Sequence, residues 1–103
     1  MGQVLKVADV KDVPPGSAMA VQAGGHKVAL FNVEGCYYAL DDTCTHRGGP
    51  LSEGEVEGTT VTCPWHGARF DVRNGSVLNP PAAKGVCSYA VRVDGSDIKV
   101  EVP

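Results

Sequence analysis

The chain has 103 residues, thirteen of them glycine and seven proline, and a formal net charge of −3 at pH 7. This length suits one domain with one modest hydrophobic core. The absence of a Lys/Arg run argues against a nucleic-acid partner, and no apolar stretch reaches the roughly 20 residues that a transmembrane helix needs, which argues against a membrane partner. The first residues also lack the long apolar segment of a signal peptide, so we expect a cytoplasmic protein.

The first forty residues predict short antiparallel strands joined by tight turns. Apolar and β-branched runs at residues 18–23, 27–33 and 36–40 predict three consecutive strands, with turns at Gly24-Gly25 and Glu34-Gly35. Upstream, residues 7–12 are compatible with a helical turn, and Val13-Pro14-Pro15-Gly16 marks a loop because proline cannot continue a central strand.

The rest of the chain alternates loops with short strands. Turn residues dominate from Asp41 to Gly54, and β-branched residues then flank a turn at Gly58-Thr59. Residues 68–73 alternate apolar and polar side chains, which predicts a strand. Asn74-Gly75 predicts a type I′ turn, after which residues 76–78 form the returning strand of the hairpin. A loop at 79–83 precedes a last hairpin of strands 86–93 and 97–102. No segment of eleven residues shows a 3.6-residue apolar repeat, so the predicted fold class is all-β.

Two short segments carry the candidate ligands. Cys44-Thr45-His46 and Cys63-Pro64-Trp65-His66 are separated by sixteen residues, and each offers one thiol and one imidazole. In a cytoplasmic protein such paired spacing indicates metal binding rather than disulfides. Two sulfurs and two nitrogens suit one structural zinc ion or an unequally ligated [2Fe–2S] cluster, although common zinc fingers pair Cys with Cys and His with His. Cys36 and Cys87 lie in apolar runs and are expected to be small hydrophobic strand residues, packed or partly exposed, that form no disulfide.

The motif Cys44-x-His46-x16-Cys63-x2-His66 closely resembles that of Rieske iron–sulfur proteins. The resemblance extends to Gly48, Gly67 and Phe70-Asp71 and spans nearly the whole chain. It implies one Rieske-type [2Fe–2S] cluster, with Cys44 and Cys63 on one iron and His46 and His66 on the other. It also implies an antiparallel β-sandwich base, residues 1–41 and 82–103, into which a smaller cluster-binding lobe of about residues 42–81 is inserted. Pro80-Pro81 would then close over the cluster.

Three positions depart from the respiratory members of this family. Those proteins resemble Cys-Thr-His-Leu-Gly-Cys and Cys-Pro-Cys-His-Gly-Ser, with the extra cysteines joined in a disulfide, whereas this chain has Gly49 and Trp65 at those positions. The serine that donates a hydrogen bond to a cluster sulfur is replaced by Ala68. Fewer donors stabilise the reduced cluster less, so we expect a potential at the low end of the Rieske range of roughly −150 to +300 mV.

The length and the predicted potential make the chain similar to the Rieske-type ferredoxins of bacterial aromatic ring-hydroxylating dioxygenase systems. The resemblance implies an electron carrier rather than an enzyme, with a flavoprotein ferredoxin reductase that uses NAD(P)H and a terminal oxygenase as partners. Alternatives are the small Rieske subunit of an assimilatory nitrite reductase, a Rieske protein of another oxygenase system, and a zinc-stabilised binding module without a redox role.

Several residues around the predicted site have surface roles in this interpretation. Trp65 is expected to shield the cluster or contact partners, and His26 is expected to be a solvated loop residue. Arg47 and Arg69 are interpreted as solvated surface charges, with steering of an acidic partner as the alternative. A solvated acidic rim, with a role in docking the reductase as the alternative, is expected from the carboxylates near the two segments: Asp41, Asp42, Glu53, Glu55 and Glu57.

Overall fold

Three antiparallel sheets make up the fold of the computed structural model, which describes residues 3–42, 50–64, 68–79 and 85–102. The sheets have the strand orders β1-β11-β10, β2-β3-β4-β9 and β5-β6-β7-β8. Two 3-10 turns, Val10–Asp12 and Leu51–Glu53, complete the described elements. The strands are β1 Gln3–Asp9, β2 Ala18–Ala23, β3 His26–Val33, β4 Cys36–Asp41, β5 Glu55–Glu57, β6 Thr60–Thr62, β7 Arg69–Asp71, β8 Val77–Asn79, β9 Ser88–Tyr89, β10 Val91–Asp94 and β11 Asp97–Val102.

The β2-β3-β4-β9 sheet is the middle layer, because its two faces contribute to two separate hydrophobic cores. Successive side chains of β3 point to opposite faces, so Val28 and Leu30 enter one core while Ala29 and Phe31 enter the other. All four are fully buried, which explains why this strand is a continuous apolar run rather than an alternating one.

We call the two cores the base core and the lobe core. The base core lies between the middle sheet and the β1-β11-β10 sheet; its buried members are Ala8, Val13, Val21, Ala23, Val28, Leu30, Ala39, Ile98, Val100 and Val102. The lobe core lies between the middle sheet and the β5-β6-β7-β8 sheet; its buried members are Ala29, Phe31, Leu40, Leu51, Val61, Cys63, Ala68, Phe70, Val72 and Val86.

The all-β prediction is confirmed, and so are the first two predicted hairpins. The turns at Gly24-Gly25 and Glu34-Gly35 have positive φ at both central residues, 57° and 87° and then 53° and 89°, as type I′ turns require. Glu34 is the one described non-glycine residue with positive φ, and the Asn32 side-chain oxygen accepts the Gly35 N–H at 2.8 Å. That bond offsets part of the strain at Glu34.

The predicted helical turn at 7–12 is only partly correct. Residues up to Asp9 belong to β1, which pairs with β11, and only Val10–Asp12 form a 3-10 turn. The sequence did not predict this strand because its pairing partner lies at the opposite end of the chain, and a register shift between Lys6 and Ala8 breaks its alternation.

The predicted strand 86–93 is interrupted at Ala90. Its first part, β9, pairs with β4, and its second part, β10, pairs with β11, so the segment crosses from the middle sheet to the β1-β11-β10 sheet. The Ala90 carbonyl accepts the Glu101 N–H at 2.9 Å where the chain crosses. The β10–β11 hairpin itself is confirmed.

The Asn74-Gly75 turn is not type I′, because only Gly75 has a positive φ, of 79°. The Asp71 carbonyl accepts the Gly75 N–H at 2.7 Å, and the Asp71 N–H donates to the Ser76 carbonyl at 2.9 Å. These two hydrogen bonds close a loop of residues 72–75. The longer loop places Val72, which is fully buried, in the lobe core.

Candidate metal centre

The segment with the second predicted ligand pair is the hairpin loop between β6 and β7. Thr62 pairs with Arg69, and the Cys63 N–H donates to the Ala68 carbonyl at 2.7 Å, so backbone hydrogen bonds close the base of this loop. Cys63 is 2% exposed and belongs to the lobe core, together with the fully buried Ala68. The Cys63 side chain is therefore held in an apolar, water-poor environment.

The segment with the first predicted ligand pair is closed by Asp42. The Asp42 carbonyl accepts the Leu51 N–H at 2.6 Å, and its side-chain Oδ1 accepts the Ser52 N–H at 2.7 Å. Leu51 is fully buried in the lobe core and begins the 3-10 turn that packs against β2 and β3. Both ends of the segment 43–50 are thus anchored at the same place.

The chain that follows a third segment, residues 80–84, makes a close backbone contact. The Val86 N–H donates to the Gly75 carbonyl at 2.8 Å, and a Cβ on Gly75 would overlap the Val86 carbonyl oxygen. The chain after this segment is therefore held directly against the β7–β8 turn. Gly54 has a comparable role, since a Cβ there would overlap the Thr62 carbonyl just before Cys63.

The bases of all three segments meet in the lobe core, to which Leu51, Cys63, Ala68 and Val86 all belong. Residues that flank the three segments, far apart in sequence, therefore pack in one apolar core. This arrangement suits a cofactor held between loops, because packing fixes the loop bases before any ligand bond forms. Sequence reasoning missed Leu51 and Gly54, whose only signal was an apolar residue and a glycine within the turn-rich stretch 41–54.

Of the four predicted ligands, the structure describes Cys63. Cys44, His46 and His66 lie outside the described residues, as do Arg47, Gly49, Trp65 and Pro80-Pro81. Within the described ranges no three metal-ligating side chains come together. The ligand set, the role of Trp65 and the closure by Pro80-Pro81 therefore stay predictions.

The expected acidic rim is only partly correct. Glu53, Glu55 and Glu57 are exposed, but Asp42 is 1% exposed because its carboxylate lies against the 3-10 turn. Asp41 accepts a hydrogen bond from the Tyr89 hydroxyl. The pKa of Tyr89 is raised, mainly by the burial of its hydroxyl and secondly by this hydrogen bond. Both aspartates are thus structural.

His26 and the two remaining described cysteines also differ in part from expectation. His26 is half-buried at the start of β3, with its ring centroid 6.0 Å from that of Tyr89, so the solvated-loop prediction is wrong. Cys36 and Cys87 form no disulfide, as predicted, but both are exposed rather than packed. Arg69 is exposed, consistent with a surface charge.

Comparisons with known proteins agree with this fold. Residues 3–90 match the model of the Rieske [2Fe-2S] domain family. The biphenyl dioxygenase ferredoxin subunit of Pseudomonas sp. (strain KKS102) is 41% identical over 97 residues, covering 93% of this chain and 89% of that protein. The ferredoxin of carbazole 1,9a-dioxygenase from Nocardioides aromaticivorans IC177 superposes with a TM-score of 0.91 at 31% identity, covering 95% and 96% of the two chains.

A third comparison includes a bound partner. In the solved complex of reduced oxygenase and oxidized ferredoxin in carbazole 1,9a-dioxygenase, the matching chain is 34% identical with a TM-score of 0.88. That match covers 94% of this chain and 91% of the other.

The chain belongs to the Rieske [2Fe–2S] domain family. Its cofactor is one Rieske-type [2Fe–2S] cluster, so the zinc-stabilised module is wrong. Within the family it resembles the ferredoxin components of aromatic dioxygenase systems, which are electron carriers, as the sequence predicted. No helix in the described ranges has the length and apolar character needed to cross a membrane.

Proposed function

We propose that this chain carries single electrons from an NAD(P)H-dependent flavoprotein reductase to the terminal oxygenase of a multicomponent aromatic dioxygenase system. The observation that carries the proposal is the common apolar base of the three loop segments, in a chain whose relatives are named ferredoxin subunits of such systems. The related ferredoxin solved with its oxygenase supports the second half of the pathway. The use of NAD(P)H places this function in the cytoplasm.

We propose Cys44, His46, Cys63 and His66 as the ligands, the two cysteines on one iron and the two histidines on the other. The described part of the site fits this group. Cys63 is buried among apolar side chains, with its backbone N–H already bonded to Ala68, and the loop base that leads toward Cys44 is anchored beside it in the same core. When bound, the cluster would accept and release one electron, and no covalent bond of the protein would form or break.

The surroundings of Cys63 support the proposal of a low potential. Ala68 is fully buried and its methyl side chain has no hydrogen to donate to a sulfur, where a serine would have one. Each missing donor leaves the more negative, reduced cluster less stabilised. A centre of low potential suits electrons that originate in NAD(P)H better than electrons that originate in a quinol.

Spectroscopy on cysteine variants tests the ligand set. Cys44→Ser and Cys63→Ser are expected to lose most iron and visible absorption, whereas Cys36→Ser and Cys87→Ser are matched controls because both thiols are exposed. The reduced wild-type protein should give the rhombic EPR signal of mixed Cys/His ligation. Equal iron loss in the controls, or full cluster content in Cys44→Ser, would contradict the assignment.

A redox titration and a reconstituted pathway test the function. The midpoint potential should lie near or below about −100 mV, the low end of the Rieske range. Stopped-flow mixing should show reduction by NADH or NADPH that depends on a flavoprotein reductase, followed by reoxidation by a dioxygenase terminal component. A midpoint near +300 mV, or co-purification with a sirohaem subunit, would overturn the proposal, the latter in favour of a nitrite reductase.

A further inference from the structure

Lys27 and Asp42 form a pair at the base of the first ligand segment. Neither residue is part of the Cys/His ligand motif. Asp42 follows β4 directly, and its N–H donates to the Lys27 carbonyl at 3.0 Å. Lys27 Nζ lies 3.6 Å from Asp42 Oδ2. A backbone hydrogen bond and a side-chain ion pair between these two residues therefore connect β3 to the start of the segment.

Asp42 has a different environment at each carboxylate oxygen. Oδ1 accepts the Ser52 N–H at 2.7 Å, while Oδ2 is buried without a hydrogen-bond partner among the described residues. A carboxylate that is 1% exposed is costly to bury, and Lys27 at 3.6 Å offers charge compensation rather than a hydrogen bond. An oxygen left in this state in an otherwise well-bonded turn calls for an explanation beyond stability.

We propose that Asp42, compensated by Lys27, is the positioning residue of the first ligand segment and sets part of the cluster potential by its buried charge. The proposal rests on the proposed function through the assignment of Cys44 as a ligand. Asp42 is two residues from Cys44, so their Cα atoms are at most about 7.6 Å apart. Because Asp42 is buried, little water surrounds its carboxylate to screen the charge.

The signs of the two effects are opposite. Reduction adds one negative charge to the cluster and makes or breaks no bond at Asp42, so the buried carboxylate opposes reduction. Lys27 favours reduction, but its side chain is 57% exposed and water screens it more strongly. Removing the Asp42 charge raises the midpoint potential, and removing the Lys27 charge lowers it by a smaller amount.

Asp42→Asn separates charge from positioning. The amide keeps an oxygen for the Ser52 N–H, so the loop closure and the iron content should persist. At roughly 10 Å and intermediate screening, Coulomb's law gives a change in the reduction equilibrium constant of about fivefold, or about 40 mV. Asp42→Ala removes the acceptor as well and should lower the iron content per protein.

A second ion pair of this chain provides matched controls. Asp94 and Lys99 lie 3.3 Å apart on the β10–β11 hairpin, in the sheet beyond the base core. Asp94→Asn and Lys99→Gln make the same charge changes away from the ligand segments, and both midpoints should stay near wild type. Lys27→Arg should retain the wild-type midpoint, whereas Lys27→Gln should lower it.

Redox titration of the purified protein, with iron analysis of each variant, decides the matter. The inference is overturned if Asp42→Asn and Lys27→Gln shift the midpoint no more than Asp94→Asn and Lys99→Gln do. If Asp42→Asn fails to hold a cluster, the comparison of Lys27→Gln with Lys27→Arg and Lys99→Gln still decides it. A wild-type protein without a Rieske spectrum would overturn the proposed function instead, so the two failures are distinguishable.

Discussion

Leu51→Ala should destabilise both the fold and the cluster site, because Leu51 is where the first ligand segment joins the lobe core. Its side chain is fully buried, and its N–H is bonded to the Asp42 carbonyl at 2.6 Å. Truncation leaves a cavity in the lobe core, between the middle sheet and the β5-β6-β7-β8 sheet. Leu78 is the matched control, since it is the same residue type at 50% exposure on β8.

The expected magnitude follows from burial. Leucine-to-alanine changes at fully buried sites cost about 2–5 kcal/mol, and surface changes stay within about 0.5 kcal/mol. For a domain of this size each kcal/mol shifts the melting temperature by roughly 4–8 °C. A cost of about 3 kcal/mol thus predicts a decrease of about 12–24 °C for Leu51→Ala, and a few degrees for Leu78→Ala.

Thermal melts of the cluster-loaded protein measure both consequences. Circular dichroism should follow the strands and visible absorption the cluster, at one fixed scan rate because loss of the cluster makes unfolding irreversible. Both signals should be lost earlier in Leu51→Ala. A melting temperature equal to that of Leu78→Ala would refute the idea that the lobe core anchors the ligand segment.

Two further predictions concern the β7–β8 turn. Gly75→Ala should destabilise the fold more than Gly58→Ala. Both glycines have positive φ (79° and 59°), but only at Gly75 would a Cβ overlap a carbonyl oxygen, that of Val86. Equal chemical-denaturation midpoints for the two variants would contradict this. Arg73 donates to both oxygens of Asp71, and these hydrogen bonds, ahead of the backbone and charge effects, hold the pKa of that carboxyl below its ordinary value. A lowered folded-state pKa gives stability that is present above the unfolded pKa, about 3.9, and lost as pH falls through the folded pKa. Arg73→Gln should therefore move acid unfolding to higher pH, and an unchanged acid midpoint would show that the pair contributes nothing.

Much of the fold could be predicted because local chemistry dictates it. Gly24-Gly25 and Glu34-Gly35 sit between apolar runs, and the strands on either side form as expected. Where pairing depends on distant segments, local pattern was insufficient. The N-terminal strand gains its partner only from the opposite end of the chain, and the crossing at Ala90 is decided by which sheet each half can reach.

The Asn74-Gly75 turn shows how the core overrides a local preference. The dipeptide favours a two-residue type I′ turn, yet burial of Val72 in the lobe core requires a longer loop. Asp42 shows the same effect for charge. A carboxylate in a polar stretch predicts a solvated rim, but the fold buries it against the 3-10 turn.

The sequence by itself determined the class of site, because the identity and spacing of Cys44, His46, Cys63 and His66 are covalent facts that no folding step changes. It also determined the absence of a second cysteine pair beside them, through Gly49 and Trp65. Only the tertiary structure decided what anchors the site. The lobe core, the glycine contacts and the buried Asp42 arise from segments that meet in space, and burial depends on the whole packed chain rather than on neighbours in sequence.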